Sequence, residues 1–281
     1  MGSPQMTPDR TPEQKREHYE IEKILANRLR NSSKEERRGM YTSVYDELLQ
    51  RVPHHPRLTR VKAAQDPSTL TAATRYHLNT LAPFIGPNSV FLEIGAGDCA
   101  VSLAVAPKVK HVYAVDVSYE ITAHVKPPQN FDLLISNGTN IPVPPGSVDV
   151  AFSNQLMEHL HPDDAAEQLG EIFQALAPGG KYLCFTPNRL NGPHDISRGY
   201  DKQATGMHLR EYSVRELDRI LKDAGFRRTQ IYFPSRHAFA PVSAVAALEA
   251  CLEALPRGLS YSLASGKALR AVLGIRMVAT K

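Results

Sequence analysis

The sequence predicts an α/β protein built on a doubly wound, mostly parallel sheet, and three observations carry that expectation. From Ser89 onward short apolar runs of strand length alternate with helical stretches, the pattern of parallel strands joined by crossing helices. The first run, Val90 to Ile94, opens into Gly95-Ala96-Gly97, and a second, His111 to Asp116, ends on an acid nineteen residues after Gly97. A buried strand that delivers the chain into a glycine turn lets the backbone approach a ligand closely, and an acid at the tip of the next strand can accept hydrogen bonds from ribose hydroxyls. The length of 281 residues suffices for a core of about 200 residues plus an attached subdomain, without a metal or disulfide staple.

Residues 1–83 read as a helical cap ahead of the sheet. Thr11-Pro12-Glu13-Gln14 combines a capping threonine, a proline at the first helical position and a glutamine that reaches back to the cap, so a helix should run to about Asn31 and bury Ile21, Ile24, Leu25 and Leu29. Ser33-Lys34-Glu35-Glu36 repeats the device and opens a second helix, with Met40, Tyr41, Val44, Tyr45 and Leu48 on one side, that Pro53 and Pro56 end. Asp66-Pro67 starts a third toward Leu81, with Leu70, Thr74 and His77 on its stripe. Tyr41 and Tyr45 are candidates to wall a substrate pocket, although aromatic residues four apart on a helix also serve ordinary packing.

Strands are expected at about 89–94, 110–116, 131–136, 148–153 and 180–186, and two more near 228–233 and 273–280. The clearest intervening helix runs from Pro162 to Leu176, with Pro178-Gly179-Gly180 as its stop. Another, Ser213 to Ala224, opens on Ser213-x-x-Glu216 and ends at Gly225. Residues 241–271, mostly helical, form an insertion before the last strand, longer than a hairpin needs.

The net charge is +4, and the whole excess lies early: residues 1–75 hold fourteen Lys and Arg against ten Asp and Glu, and the remaining residues hold nineteen of each. That basic excess is interleaved with acids at helical spacing and has no alternating aromatics, so it does not describe a nucleic-acid platform. Three cysteines without a Cys-x-x-Cys pair fit a reducing compartment. The most apolar late stretch, Ala240 to Leu248, is too short to span a bilayer. The expectation is a cytoplasmic protein that acts on a small molecule without membrane or nucleic acid, and it leaves a homo-oligomer open.

Gly95 to Ala100 also fits the relaxed dinucleotide pattern G-x-G-x-x-G/A. A short-chain dehydrogenase would need a Tyr-x-x-x-Lys pair after the cofactor half, and the only such spacing, Tyr19 to Lys23, lies far upstream. By contrast, SNGTNIPVPPGSVDVAFSNQLMEHLHPDD (Ser136 to Asp164) and LAPGGKYLCFTPN (Leu176 to Asn188) resemble the later motifs of the class I S-adenosylmethionine-dependent methyltransferases, and the resemblance runs in motif order over roughly residues 84–233. It implies a Rossmann-like sheet of seven strands with an antiparallel edge hairpin, a core spanning residues 84–281, and S-adenosylmethionine as cofactor. TPNR, GPHDIS and HLREYS further resemble a bacterial branch associated with secondary-metabolite or glycan modification.

By that resemblance Glu93, Gly95 and Gly97 surround the methionine part of the cofactor, Asp116 takes its ribose, and Val117 flanks the adenine. Asn137, Gly138 and Thr139 follow the third strand, where the family places adenine contacts, and Asn154 and Leu156 close the fourth strand toward the sulfonium. His159, in Met157-Glu158-His159-Leu160, is a candidate general base for a hydroxyl acceptor, and His208 and His194 on the long loop after the fifth strand are the other two. Asp195 and Tyr212 on the same loop are candidates for substrate recognition. His161 beside Asp163 and Asp164 gives no converging ligand set, since a proline followed by acids is also how a helix begins, and no metal is expected. Methyl transfer to a hydroxyl is the favoured expectation. Methylation of an alkene or activated carbon, and a non-catalytic cofactor-binding partner protein, are the alternatives.

Overall fold

The computed structural model describes residues 10–58 and 70–281. The chain opens on two helices, α1 (Pro12–Asn31) and α2 (Lys34–Arg51), each begun by a reciprocal capping box, Thr11 with Gln14 and Ser33 with Glu36. Ile21, Leu25 and Leu29 of α1 are buried, but Ile24 is 55% exposed. The buried face of α1 also takes His18, Glu22 and Ala26, and at about 100° per residue Ile24 lies more than a quarter turn away from its centre. On α2 Tyr41, Val44, Tyr45 and Leu48 are buried together. The expected helix start at Asp66-Pro67 lies outside the described residues. Helix α3 (Ala72–Leu81) is capped by Thr71, whose side chain accepts from Thr74 N–H, and Leu70 precedes it.

Strand β1 (Val90–Ile94) pairs parallel with β2 (His111–Asp116) on one side and β4 (Val148–Asn154) on the other. Helix α4 (Ala100–Val105) joins β1 to β2, and short α5 (Tyr119–Thr122) leads to β3 (Phe131–Ile135). Beyond β4, α6 (Pro162–Ala175) runs straight into β5 (Leu176–Thr186). Pro178-Gly179-Gly180, expected to stop the helix, therefore lies inside the strand. There Val148 pairs with Leu176 but Val150 with Lys181, so the glycines absorb a register shift, and Gly179 takes it at φ +79°.

After β5 come α7 (Val214–Asp223), capped by Ser213 and Glu216 as expected, then β6 (Arg228–Phe233) and β7 (Ala238–Pro241). Helices α8 (Val242–Glu253), α9 (Arg257–Ser265) and α10 (Lys267–Leu273) fill the expected helical stretch before β8 (Ile275–Thr280). The sheet order is β3-β2-β1-β4-β5-β8-β6-β7, eight strands rather than seven. The additional strand is β7, four residues that pair antiparallel with β6 at the sheet edge, where Pro241 costs no ladder bond. The antiparallel β6 and β8 agree with the expected edge hairpin.

Both faces of the sheet are covered. Phe91, Val112, Val150, Phe152 and Leu183 share one buried cluster with Leu81 and Val105 of α3 and α4. Leu92, Ile94, Ala151 and Tyr182 share another with Leu25, Tyr41, Val44, Leu169 and Leu217. Neighbours such as Phe91 and Leu92 enter opposite clusters because strand side chains alternate. The strand order reverses at β1, between β2 and β4, which is where an open α/β sheet forms a crevice beyond its carboxyl edge.

Candidate active site

A cavity of about 620 Å³ occupies that crevice, floored by the carboxyl ends of β1, β2 and β4. The loop after β1 holds Gly95 at φ +70° and Gly97 at φ +56°, left-handed conformations that favour glycine. A Cβ on Gly95 would also lie 3.0 Å from Leu156, so the loop after β4 packs directly on the loop after β1. Asp116 binds this turn together: its Oδ2 accepts from Gly97 N–H at 2.7 Å, and its Oδ1 from Val117 N–H at 2.8 Å and Ser118 N–H at 2.9 Å. A carboxylate has about four lone-pair sites. Three are in use, which leaves one for a ligand hydroxyl.

Glu93 is buried, with Oε2 accepting from both the backbone N–H and the hydroxyl of Ser102. Burial outweighs those bonds and pushes its carboxyl up to about 8. Cys99, the left-handed residue that opens α4, is buried and its thiol is pushed up by that burial, so it packs in the loop as an unreactive neutral thiol.

After β3, Asn137 Oδ1 accepts from Thr139 N–H and Asn140 N–H, so that oxygen is used within its own turn, and the Thr139 hydroxyl is held between Asn137 Oδ1 at 3.2 Å and Glu167 Oε1 of α6 at 3.0 Å. Gly138, at φ +99°, is the part of this turn that lines the cavity, and a Cβ there would lie 2.4 Å from the Tyr41 ring. Tyr41 is held by α6: its hydroxyl donates to Asp164 Oδ2 at 2.7 Å and accepts from His161 N–H at 3.0 Å. Arg37 binds the same carboxylate through Nε and Nη2 at 2.5 and 3.0 Å, with both side chains almost wholly buried.

Of the residues expected from the sequence, Glu93, Gly95, Gly97, Asp116, Val117, Gly138, Asn154, Leu156, His159, Tyr41 and Tyr45 line this one cavity. Asn137, Thr139, His194, His208, Asp195 and Tyr212 do not line it. His194 Nε2 lies 2.9 Å from Asn188 O and 3.0 Å from Asn191 Oδ1, a bond that ties the loop after β5 to itself. Asp195 caps a short turn through Ser197 N–H, and Tyr212 is buried with no hydrogen-bond partner for its hydroxyl among the described residues. His208 stands directly behind His159, their rings 4.8 Å apart edge to face, and lines a second cavity of about 530 Å³ with Arg210 and Arg257.

His159 is the only one of the three candidate histidines that reaches the cavity wall. Its Nδ1 lies 3.0 Å from the carbonyl of Met207, which can only accept, so Nδ1 carries the proton and Nε2 the unshared pair. Burial, with His208 adding to it, holds its pKa well below the usual imidazole value, so the ring is neutral. Sequence reasoning missed Arg57, Thr74, His77, Ser118 and Gln168, which also line the cavity. They come from the cap, from α3 and α5, and from the mid-length of α6, where no local motif marks them.

A family model described as a methyltransferase domain matches residues 68–231. A probable S-adenosylmethionine-dependent methyltransferase of Mycolicibacterium smegmatis is 35% identical over 136 residues, which are 48% of this chain and 51% of that protein. The chain thus spans about half the length of the curated relatives it matches. Among solved structures, the methyltransferase bound to the Trm112 activator of Haloferax volcanii aligns at a TM-score of 0.53 and 15% identity, covering 79% of this chain and 93% of that one. A SAM-dependent methyltransferase of Archaeoglobus fulgidus aligns at 0.50 and 17% identity over 74% and 93%. These two likenesses bear on the fold.

Proposed function

Because the chain belongs to the methyltransferase-domain family, with residues 68–231 as the matched part, we propose that it transfers the methyl group of S-adenosylmethionine to a hydroxyl of a small-molecule acceptor. The observation that carries the reading is the closed turn at the switch point, in which Asp116 clamps the glycine loop and keeps one acceptor site for a ribose hydroxyl. Glu93 and the Gly95–Gly97 backbone would hold the methionine part, and Gly138 under the Tyr41 ring the adenine side. Asn154 and Leu156 would then flank the sulfonium, with Tyr45 and His159 on the acceptor side of the same cavity.

The sulfonium already activates the methyl group, so the protein supplies alignment and removal of one proton. The acceptor oxygen forms its bond to carbon as the carbon–sulfur bond breaks, and S-adenosylhomocysteine leaves with the sulfur electron pair. The acceptor proton is released at the His159 end of the cavity, where the unshared Nε2 pair lies beside Asn154 and Leu156 on the wall. Replacing His159 by Ala should lower turnover by about 10²- to 10⁴-fold and leave affinity for S-adenosylhomocysteine within a few-fold. Single-turnover rates and calorimetry on the variant check this. Near-normal turnover would favour a carbon acceptor, which needs no base at that position.

A further inference from the structure

We propose that Glu158, His159 and His208 bind one divalent first-row transition cation at the wall of the cavity, where it takes the acceptor hydroxyl as a further ligand. The inference rests on the reading of the cavity as a methyl-transfer site and adds to it the group that acts on the acceptor's proton. Glu158 and His159 are consecutive in the short turn after β4, and the bond from Arg210 N–H to Glu158 O, 3.1 Å, fastens the loop that carries His208 to that turn. One donor atom from each of the three side chains lies within 4.8 Å of the other two. Neighbouring ligands of a bound ion stand about 3 to 3.5 Å apart at metal–nitrogen distances of about 2.1 Å, so small side-chain rotations close the set.

Two observations beyond proximity point to a cation. The first is the orphaned oxygen: Glu158 is fully buried, its Oε2 accepts from Thr186 Oγ1 at 2.8 Å, and its Oε1 has no hydrogen-bond partner among the described residues. A buried carboxylate oxygen in that position demands a proton or a cation. The second is the way the imidazoles are held. His159 is fixed through Nδ1 to the Met207 carbonyl, and His208 through Nδ1 to Glu211 Oε1 at 2.7 Å. Each ring is oriented from behind, one by a carbonyl and one by a carboxylate, and keeps Nε2 in reserve, which is how outer-shell partners orient metal-ligating histidines.

Among the described residues a second converging set, His18, Glu22 and His55, matches its carboxylate internally, with His18 Nε2 2.7 Å from Glu22 Oε2 and Glu22 Oε1 accepting from Met207 N–H. Two imidazole nitrogens and one carboxylate oxygen suit Mn²⁺ or Zn²⁺ better than Mg²⁺, which prefers oxygen. Since His159 lines the cavity, the cation's remaining positions open toward the acceptor. With His159 Nε2 committed to the cation it no longer takes the proton itself: a hydroxyl bound there would give its proton to cavity water, and the resulting alkoxide would attack the methyl carbon as the carbon–sulfur bond breaks. The products are the methyl ether, S-adenosylhomocysteine and one proton.

The test uses tag-free, chelator-dialysed full chain titrated with Mn²⁺ by electron paramagnetic resonance and with Zn²⁺ by calorimetry. One equivalent should bind, His208→Gln and Glu158→Gln should each weaken binding by about 100-fold or more, and Glu211→Gln by about 10- to 100-fold. Melting curves confirm that the variants fold, and S-adenosylhomocysteine affinity of His208→Gln should stay within a few-fold of the wild type. Failure of Mn²⁺ and Zn²⁺ to bind at millimolar concentration, or binding unchanged in both His208→Gln and Glu158→Gln, overturns the site. Loss of S-adenosylhomocysteine binding in the wild type would instead strike the methyl-transfer reading, so the two failures are distinguishable.

Discussion

Glu93 and Asp116 lie at the carboxyl ends of the paired strands β1 and β2, yet burial and hydrogen bonding set them different tasks. Three amide donors surround Asp116, whereas Glu93 has one serine and a buried setting that pushes its carboxyl up to about 8. In the free protein Glu93 is therefore largely protonated at neutral pH. A cofactor whose α-ammonium lies against it favours the carboxylate, so binding must release that proton. Affinity for S-adenosylhomocysteine should strengthen as pH rises from about 6 to 8, by up to tenfold per unit, and level off above 8. Calorimetry across this range checks it, and a flat profile would show that Glu93 does not face the ammonium. Both acids were legible in the sequence because each ends an apolar run. Their different environments were not, since Ser102 reaches Glu93 and the Gly97 amide reaches Asp116 from other parts of the chain.

Two buried carboxylates fasten the cap helices to the rest of the fold, Glu22 of α1, which accepts from Met207 N–H, and Asp164 of α6. Asp164 opens the first turn of α6, where sequence reasoning sees only an acid suited to the helix dipole. In the structure it accepts from Arg37 and Tyr41 of α2, and Tyr41 in turn covers the glycine turn after β3. Removing the carboxylate would leave the buried Arg37 with only the longer 3.7 Å contact to exposed Asp163, and breaking a buried pair costs about 3 to 5 kcal/mol. Asp164→Ala should show that destabilisation in urea unfolding, and a change below about 1 kcal/mol would mean that water or Asp163 replaces the pair. All three capping boxes, at Thr11, Ser33 and Ser213, were readable because their partners sit three residues away. Strand β7 was not, because Ala238-Phe239-Ala240-Pro241 is only four residues long and ends on a proline, so it is a strand only by pairing with β6. The Pro178-Gly179-Gly180 stop was misplaced for a related reason: glycines that end helices also absorb register shifts in strands.

At the scale of the molecule, one apolar cluster runs from Leu25 and Val44 of the cap through Leu92 and Ala151 of the sheet to Leu217 of α7. The cavity lies at the reversal of strand order, with Tyr41, Tyr45 and Arg57 of the N-terminal region along its wall. No described helix is long and apolar enough to cross a membrane. The α/β class, the parallel strands and the glycine–acid crevice could be read from apolar runs and turn residues. The grouping of His159, His208 and Glu158 could not, since it depends on how the loop after β5 folds back onto the turn after β4.

The central claim, that the crevice binds S-adenosylmethionine through the Asp116 turn, is tested most directly by calorimetric titration of S-adenosylhomocysteine into the wild type and Asp116→Ala. Hydrogen bonds to a charged acceptor contribute about 1.5 to 3 kcal/mol each, so the account predicts one site per chain in the wild type and an affinity roughly 10- to 100-fold weaker in the variant. Equal affinity in the two proteins, or tighter binding of a nicotinamide dinucleotide by the wild type, would contradict it.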